Sequence, residues 1–322
     1  MRQAAWQKVL VVVVQASLTM AIGWYLTLKI DLDQVAAQFL ALSTQDVALL
    51  TIIMTVQFVI VAARLQLSIK LVGLSCSFGL AMRAFLIGAF FSQTPLTSLG
   101  GDMMRVWSLV RGGLPLRSAA SAVTIDRIFG IVALLLIILL MIVPLWLLIR
   151  DPALRTGIAL AVGAGVASLI LFLLLRLMPS GLRRFRLLNW IADVAAHMMV
   201  ALRSLGGAAS MLGLGLAAHV LSIVMFYVLA RSIRANVSFV QCLILVPFPL
   251  LLSLIPISLG GWGVREGAMI VAFGWIGVPS EQSLAVSVIY GASSLLASLP
   301  GGLVWLFGQR LPPANDTART VL

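Results

Sequence analysis

Apolar positions run in long unbroken stretches, with neither the alternation of a half-buried strand nor the narrow stripe of a surface helix. Val9–Leu28, Val47–Ala63, Ala119–Ile149, Thr156–Leu177, Ala208–Ala230 and Leu284–Phe307 each approach or exceed the roughly 20 helical residues that cross a bilayer core. Two further apolar stretches are interrupted. Ala84–Leu99 carries Pro95, Val237–Leu259 carries Pro247, Pro249 and Pro256, and each runs straight into a Gly-Gly pair. Proline lacks the backbone N–H and clashes with the preceding turn, so both stretches are predicted to be short, broken or re-entrant. Arg64, Lys70 and Arg83 punctuate a moderately apolar stretch, which predicts a helix over 64–83 lying at the membrane interface. Gly181–Arg203 reads as a basic amphipathic helix on the membrane surface. Lipid offers no partner to backbone polar groups, so spans of this kind close their hydrogen bonds within helices. The expected class is all-α, a polytopic helical membrane protein with about six to eight transmembrane helices. Residues 1–311 form a single transmembrane domain and 312–322 a short cytoplasmic tail.

Composition narrows this further. Hydrophobic residues make up 61% of the chain and charged residues 10%, far below the roughly 25% of a soluble domain. No polar stretch approaches the size of an added catalytic domain. The charge of +12 would point to nucleic acid in a soluble protein. Here the arginines cluster between apolar runs, which excludes nucleic acid as the expected partner and points to anionic lipid at the cytoplasmic face. With the N-terminus inside, fifteen Lys and Arg fall on the cytoplasmic side and five on the other, placing both termini in the cytoplasm. Cys76 and Cys242 lie in apolar surroundings with no ligand spacing, and His197 and His219 are isolated. Neither a metal nor any other cofactor is expected.

The most informative feature is a repeated tetrapeptide. Ser98-Leu-Gly-Gly101 recurs as Ser258-Leu-Gly-Gly261, 160 positions later, each time after a proline-interrupted run. The repeat-like halves lie around 84–149 and 237–308. Three spans intervene between the copies, so they would enter from opposite faces, as in transporters built on inverted repeats. Irregular backbone at that depth asks for a cavity. Asp102, Arg105, Asp126, Arg127, Arg265 and Glu266 lie in or beside apolar runs, where a lone charge costs about 2.5–3.5 kcal/mol or more. Asp102 and Arg105 are spaced to pair on one helix face. The adjacent couplets Asp126/Arg127 and Arg265/Glu266 point about 100° apart on a helix, so the expectation is either pairing across the repeats, Asp126 with Arg265 and Glu266 with Arg127, or an arginine of each set left for an anionic headgroup. Gly100, Gly101, Gly260, Gly261 and Gly263 permit positive φ and close backbone approach. The helix N-termini that follow them would suit a phosphate.

The segment Phe91-Ser-Gln-Thr-Pro-Leu-Thr-Ser-Leu-Gly-Gly-Asp-Met-Met-Arg105, followed by Ala122-Val-Thr-Ile-Asp-Arg-Ile-Phe-Gly130, resembles the first signature of the lysylphosphatidylglycerol synthase transmembrane-region family. Ile255-Pro-Ile-Ser-Leu-Gly-Gly-Trp-Gly-Val-Arg-Glu-Gly-Ala268 and Ser298-Leu-Pro-Gly-Gly302 resemble the second. The resemblance implies a lipid flippase of the bacterial inner membrane, moving a phospholipid or another lipid with a charged headgroup between leaflets. It places Asp102, Arg105, Asp126, Arg127, Arg265 and Glu266 on the family's charged positions. The soluble aminoacyl-transferase domain joined to this region in some members has no room before Leu322, so lysyl transfer is not expected. Paired carboxylates at helical spacing and a nucleophile with its base are missing, which argues against an enzyme. A membrane-embedded lipid-modifying transferase, and a non-catalytic partner of a lipid-synthesis enzyme, stand as alternatives. The oligomeric state, homo-oligomer included, is open.

Single cysteines at Ser98 and Ser258, in a background without Cys76 and Cys242, are expected to label from opposite faces of intact cells, or each from both. Labelling of both from one face only would show that the copies are not inverted.

Overall fold

The computed structural model describes residues 32–93, 98–149, 151–177, 185–254 and 261–308, with isolated positions 17, 20, 24 and 258. The expected first span Val9–Leu28, Gly260 and the tail 312–322 lie outside this set, apart from the three isolated positions. The described residues are helical with no strands. A short helix, α1 (Leu32–Leu40), precedes the long α2 (Thr44–Leu71). Two half-length helices follow, α3 (Phe78–Ser92) and α4 (Ser98–Arg111), and then the long α5 (Leu116–Leu140). The chain continues through α6 (Ile142–Leu148), α7 (Pro152–Leu174) with a 3-10 turn at Leu175–Leu177, and α8 (Arg186–Arg203). It ends with the long α9 (Leu205–Ser232), the short α10 (Phe239–Leu245), α11 (Pro247–Leu254) and α12 (Val264–Gly274), and the long α13 (Ser280–Gly308).

Five of these, α2, α5, α7, α9 and α13, are long and apolar enough to cross a membrane. The chain is an integral membrane protein. Large apolar side chains such as Ile52 and Val56 on α2 and Ile170 and Leu171 on α7 stand exposed, as suits a lipid-facing surface.

The two interrupted stretches turn back. At 1.5 Å per residue the 15-residue α3 and the 14-residue α4 reach only about 21–23 Å, short of the roughly 30 Å hydrocarbon core. They pack against each other as an antiparallel pair. The close approach is specific to glycine. A Cβ on Gly101 would collide with Ser92 Oγ and the Gly88 carbonyl, and one on Gly88 would run into the Arg105 stem. On the other side α3 lies on α13, where Gly301 sits against the Leu86 carbonyl and Gly302 against the Phe90 ring.

The expected interfacial helix over 64–83 does not form. α2 continues through Arg64 to Leu71, the chain turns at Gly73 (φ 83), and Arg83 lies inside α3. Neither arginine needs a headgroup. Arg64 pairs with a buried carboxylate, and Arg83 Nη2 donates to the Gly308 carbonyl at 3.2 Å. Together with Arg105, inside α4, these residues leave the tally of loop charges, although the remaining asymmetry keeps its sign.

The order long helix, broken pair, long helix occurs twice, and the register is close. Ser43 caps α2 and Ser204 caps α9, 161 positions apart; Ser77 caps α3 and Ser238 caps α10, again 161 apart. Gly73 and Arg234 (φ 58), both left-handed after a long helix, keep the same spacing. Arg105 and Arg265 differ by 160, as do the two Ser-Leu-Gly-Gly copies. The repeated unit is therefore wider than the tetrapeptide, running from residue 43 to 140 and from 204 to 308. The two units are joined along α2 and α9, where Gln57 Nε2 donates to the Ala218 carbonyl at 2.9 Å and to Ser222 Oγ at 2.6 Å.

Gly301→Ala forces the α3–α13 backbones apart and is expected to cost about 1–3 kcal/mol. Gly163→Ala on α7, whose added Cβ meets nothing within 4 Å, should be neutral or gain up to about 1 kcal/mol. Thermal unfolding of the purified variants in one detergent checks the contrast.

Candidate functional site

A cavity of about 480 Å³ opens where the two units meet. Its lining marks its depth. Gln57, Arg127, Ala218 and Ser294 line it, and each lies within a residue or so of the middle of its long helix, α2, α5, α9 and α13 respectively. The residues at the ends of α3 and α11, Ser92 and Gln93 in the first broken pair and Ser253 and Leu254 in the second, reach the same space. The cavity therefore lies near mid-depth of the bundle.

Its charge is one-sided. Arg64, Arg105, Arg127 and Arg265 line it against a single acid, Asp102. Two further carboxylates, Asp126 and Glu266, are buried behind the wall at 1% and 2% exposure. Four cations facing three acids leave an excess of positive charge directed at the cavity.

Helix geometry explains the pairings. Arg64 on α2 meets Asp126 on α5 in a two-pronged bridge, Nε to Oδ1 at 2.7 Å and Nη2 to Oδ2 at 3.2 Å. Arg127, one residue on and about 100° around the helix, faces α4, where its Nε donates to both oxygens of Asp102 at 2.8 Å. Arg105 Nη1 reaches the same carboxylate from the next turn of α4 at 3.1 Å, as their spacing predicts. The Arg105 guanidinium also lies over the Phe85 ring.

In the second unit Arg265 bonds its own neighbour. Its Nη2 donates to Glu266 Oε1 at 2.5 Å and its Nε to Ser287 Oγ at 3.2 Å, with the guanidinium between the Trp262 and Tyr290 rings. The other oxygen of Glu266 accepts from the Gly263 N–H at 2.6 Å, closing the first turn of α12.

The expected cross-repeat pairs, Asp126 with Arg265 and Glu266 with Arg127, are therefore not formed. Asp126 is taken by Arg64, and Glu266 is held by the amide end of its own helix with Arg265 folded onto it. Arg64 is the site residue that sequence reasoning missed. Its signal was the apolar setting Ala62-Ala-Arg-Leu65, which suits a helix interior better than a loop. The glycines divide by role. Gly261 (φ 79) and Gly263 (φ 84) take the left-handed backbone, whereas Gly100 and Gly101 are helical and Gly101 serves close packing. With Glu266 already on the Gly263 amide, that end of α12 is self-capped rather than open to a phosphate.

Neutral polar groups complete the wall. His219 Nε2 bonds the Gly130 carbonyl at 2.9 Å, Gln93 Nε2 donates to Ser294 Oγ at 2.9 Å, and Tyr290 Oη donates to Ser222 Oγ at 3.3 Å. The surface helix α8 packs its apolar face, Val194, Met198 and Ala201, against Ile125 and Phe129 of α5. Among the described residues no three His, Cys, Asp or Glu side chains come together as metal ligands.

These features define a class, a helical membrane protein with paired broken helices around a cationic mid-depth cavity. Residues 8–301 match the family described as lysylphosphatidylglycerol synthase TM region, and the chain belongs to that family. No curated protein sequence matches the chain.

Arg64→Ala leaves Asp126 buried and unpaired, and is expected to lower stability by about 3–5 kcal/mol. Arg64→Met combined with Asp126→Leu removes both charges and should recover most of it. Thermal unfolding of wild type, single and double variants measures the coupling.

Proposed function

We propose that the protein moves a lipid with an anionic, phosphate-bearing headgroup between the leaflets of a bacterial inner membrane, the headgroup passing through the cavity. The observation that carries this reading is the excess of arginine facing a mid-depth space walled by both broken helix pairs. Arginine presents a planar fork of donors that fits phosphate oxygens. A positive site in low dielectric attracts an anion more strongly than the same charges in water. Family membership supports lipid handling and leaves the lipid open.

The topology supports alternating access. With α5, α7 and α9 each crossing once and α8 along one surface, the α3–α4 hairpin enters from one face and α10–α12 from the other. The two units are then inverted, the arrangement by which rocking of one against the other opens a central site to either side. The remaining Lys and Arg asymmetry supports cytoplasmic termini. This reading assigns a transport step and no covalent chemistry.

The test is movement of fluorescent phosphatidylglycerol across proteoliposome membranes. Arg127→Gln, at the most exposed of the cavity's paired arginines, is expected to slow it at least about tenfold, equivalent to roughly 1.4 kcal/mol of lost stabilisation. Flux equal to wild type in a variant that melts normally overturns the assignment.

A further inference from the structure

The four ion pairs among the described residues differ in what they join. Arg64–Asp126 connects α2 to α5 and is sealed, with side chains 7% and 2% exposed. Arg265–Glu266 and Arg105–Asp102 each stay within one helix. Asp102–Arg127 alone among them ties a re-entrant hairpin to a long helix, and its side chains are the most exposed of the set, 25% and 34%, both on the cavity. Arg127 holds Asp102 through Nε only; its two Nη groups make no hydrogen bond among the described residues.

The leverage of this contact follows from its position. α4 and α5 are joined by the turn 112–115, where Gly113 (φ 95) takes the left-handed backbone and Leu109 packs near Ala119 and Ala122. Asp102 lies about 15 Å before that turn and Arg127 about 18 Å after it, at 1.5 Å per residue. The near end of α4 is thus fixed by the chain and by apolar packing. Its far end, next to the hairpin tip, is held to α5 by a contact that an anion can enter.

We propose that Arg127 is an exchange site. A phosphate mono- or diester takes the Arg127 guanidinium from Asp102, and the exchange unlatches the first hairpin from α5. Carboxylate and phosphate both make charge-assisted, forked contacts with guanidinium, so the substitution is close to balanced. Asp102 is not stranded, because Arg105 stays beside it on the same helix face. A headgroup without an anion leaves the latch closed. Binding and latch exclude each other, so each weakens the other by the same factor. The site follows from the ion-pair geometry; that its anion is a lipid headgroup rests on the transport reading.

The test is hydrogen exchange over residues 98–111 in the purified full chain, with dihexanoylphosphatidylglycerol or inorganic phosphate as the probe. Saturating short-chain lipid is expected to speed exchange there about fivefold or more, whereas a ligand that merely buried the site would slow it. Unchanged or slower exchange overturns the latch. Asp102→Asn removes the competitor and is expected to bind the lipid about fivefold or more tightly, with α4 already exchanging fast before ligand is added. Binding no tighter than wild type also overturns the proposal, and should this variant fail to fold, the wild-type measurement decides. A response to inorganic phosphate without one to the lipid keeps the exchange site and overturns the lipid reading. Lipid flux with no faster exchange at 98–111 keeps transport and overturns the latch.

Discussion

Two adjacent residues on α5 organise the polar interior. Asp126 and Arg127 sit half-way along a helix whose other charge, Arg117, lies in its first turn, and the helical twist sends their side chains to different neighbours. Asp126 faces α2 and fixes it through Arg64; Arg127 faces α4 and fixes it through Asp102. Neither charge has an acceptable place in lipid, so α5 cannot rotate or slide without exposing one of them. The bundle has correspondingly little freedom in register around this helix. Gly130, one turn on, lets the Arg64 guanidinium come close to α5, since an added Cβ there would stand 3.1 Å from its two Nη nitrogens. The same residue's carbonyl accepts from His219, which brings α9 to the same level.

The two units share a backbone plan and differ in chemistry. Helix caps, left-handed turn residues and the arginines at 105 and 265 recur at nearly constant spacing. The partners of those arginines do not. In the first unit the carboxylate comes from Asp102 and is shared across helices with Arg127; position 262, its counterpart in the second, is tryptophan. There the acid is Glu266, locked to its own helix start, and the arginine is held between aromatic rings. One broken pair is thus fastened by a half-buried ion pair and the other by aromatic and hydrogen-bonded contacts around a buried arginine and glutamate. A symmetric scaffold with one weak and one strong fastening has a preferred place to open.

Much of this was legible in the sequence, and the limits have physical causes. The long spans are read from length and hydropathy, because lipid imposes those directly on the chain. The broken pairs are read from Pro95, Pro247, Pro249 and Pro256 and the Gly-Gly pairs after them, since proline and glycine act on their own backbone. The Asp102–Arg105 contact is local and follows helical spacing. The identity of the long-range partners is not local. Asp126 could have met any buried cation, and the choice of Arg64 depends on α2 lying beside α5, which no spacing rule states. Arg64 was misplaced because a positive charge beside Lys70 resembles a loop charge until its counter-ion is known. The assumption that Arg265 and Glu266 diverge failed because the first turn of α12 lets a long arginine fold back onto a carboxylate already pinned by Gly263.

Cavity size constrains how a lipid would use this site. A volume of about 480 Å³ falls within the roughly 300–1,000 Å³ of ordinary ligand pockets. That is room for a glycerophosphate-sized headgroup and a few waters, and too little for two acyl chains. On the transport reading the tails stay in the bilayer while the polar end crosses, so the cavity must open sideways as well as toward each face. Sideways opening between packed long helices would expose Asp126, whose pair with Arg64 joins α2 to α5, and is costly there. A gap beside a re-entrant hairpin is cheaper, since its helices stop at mid-depth and its ionic tie to α5 is already solvated from the cavity. The same features that let Asp102 release Arg127 would therefore place the lateral opening along α4, between the first hairpin and α5, where lipid tails can follow a headgroup without crossing a sealed charge.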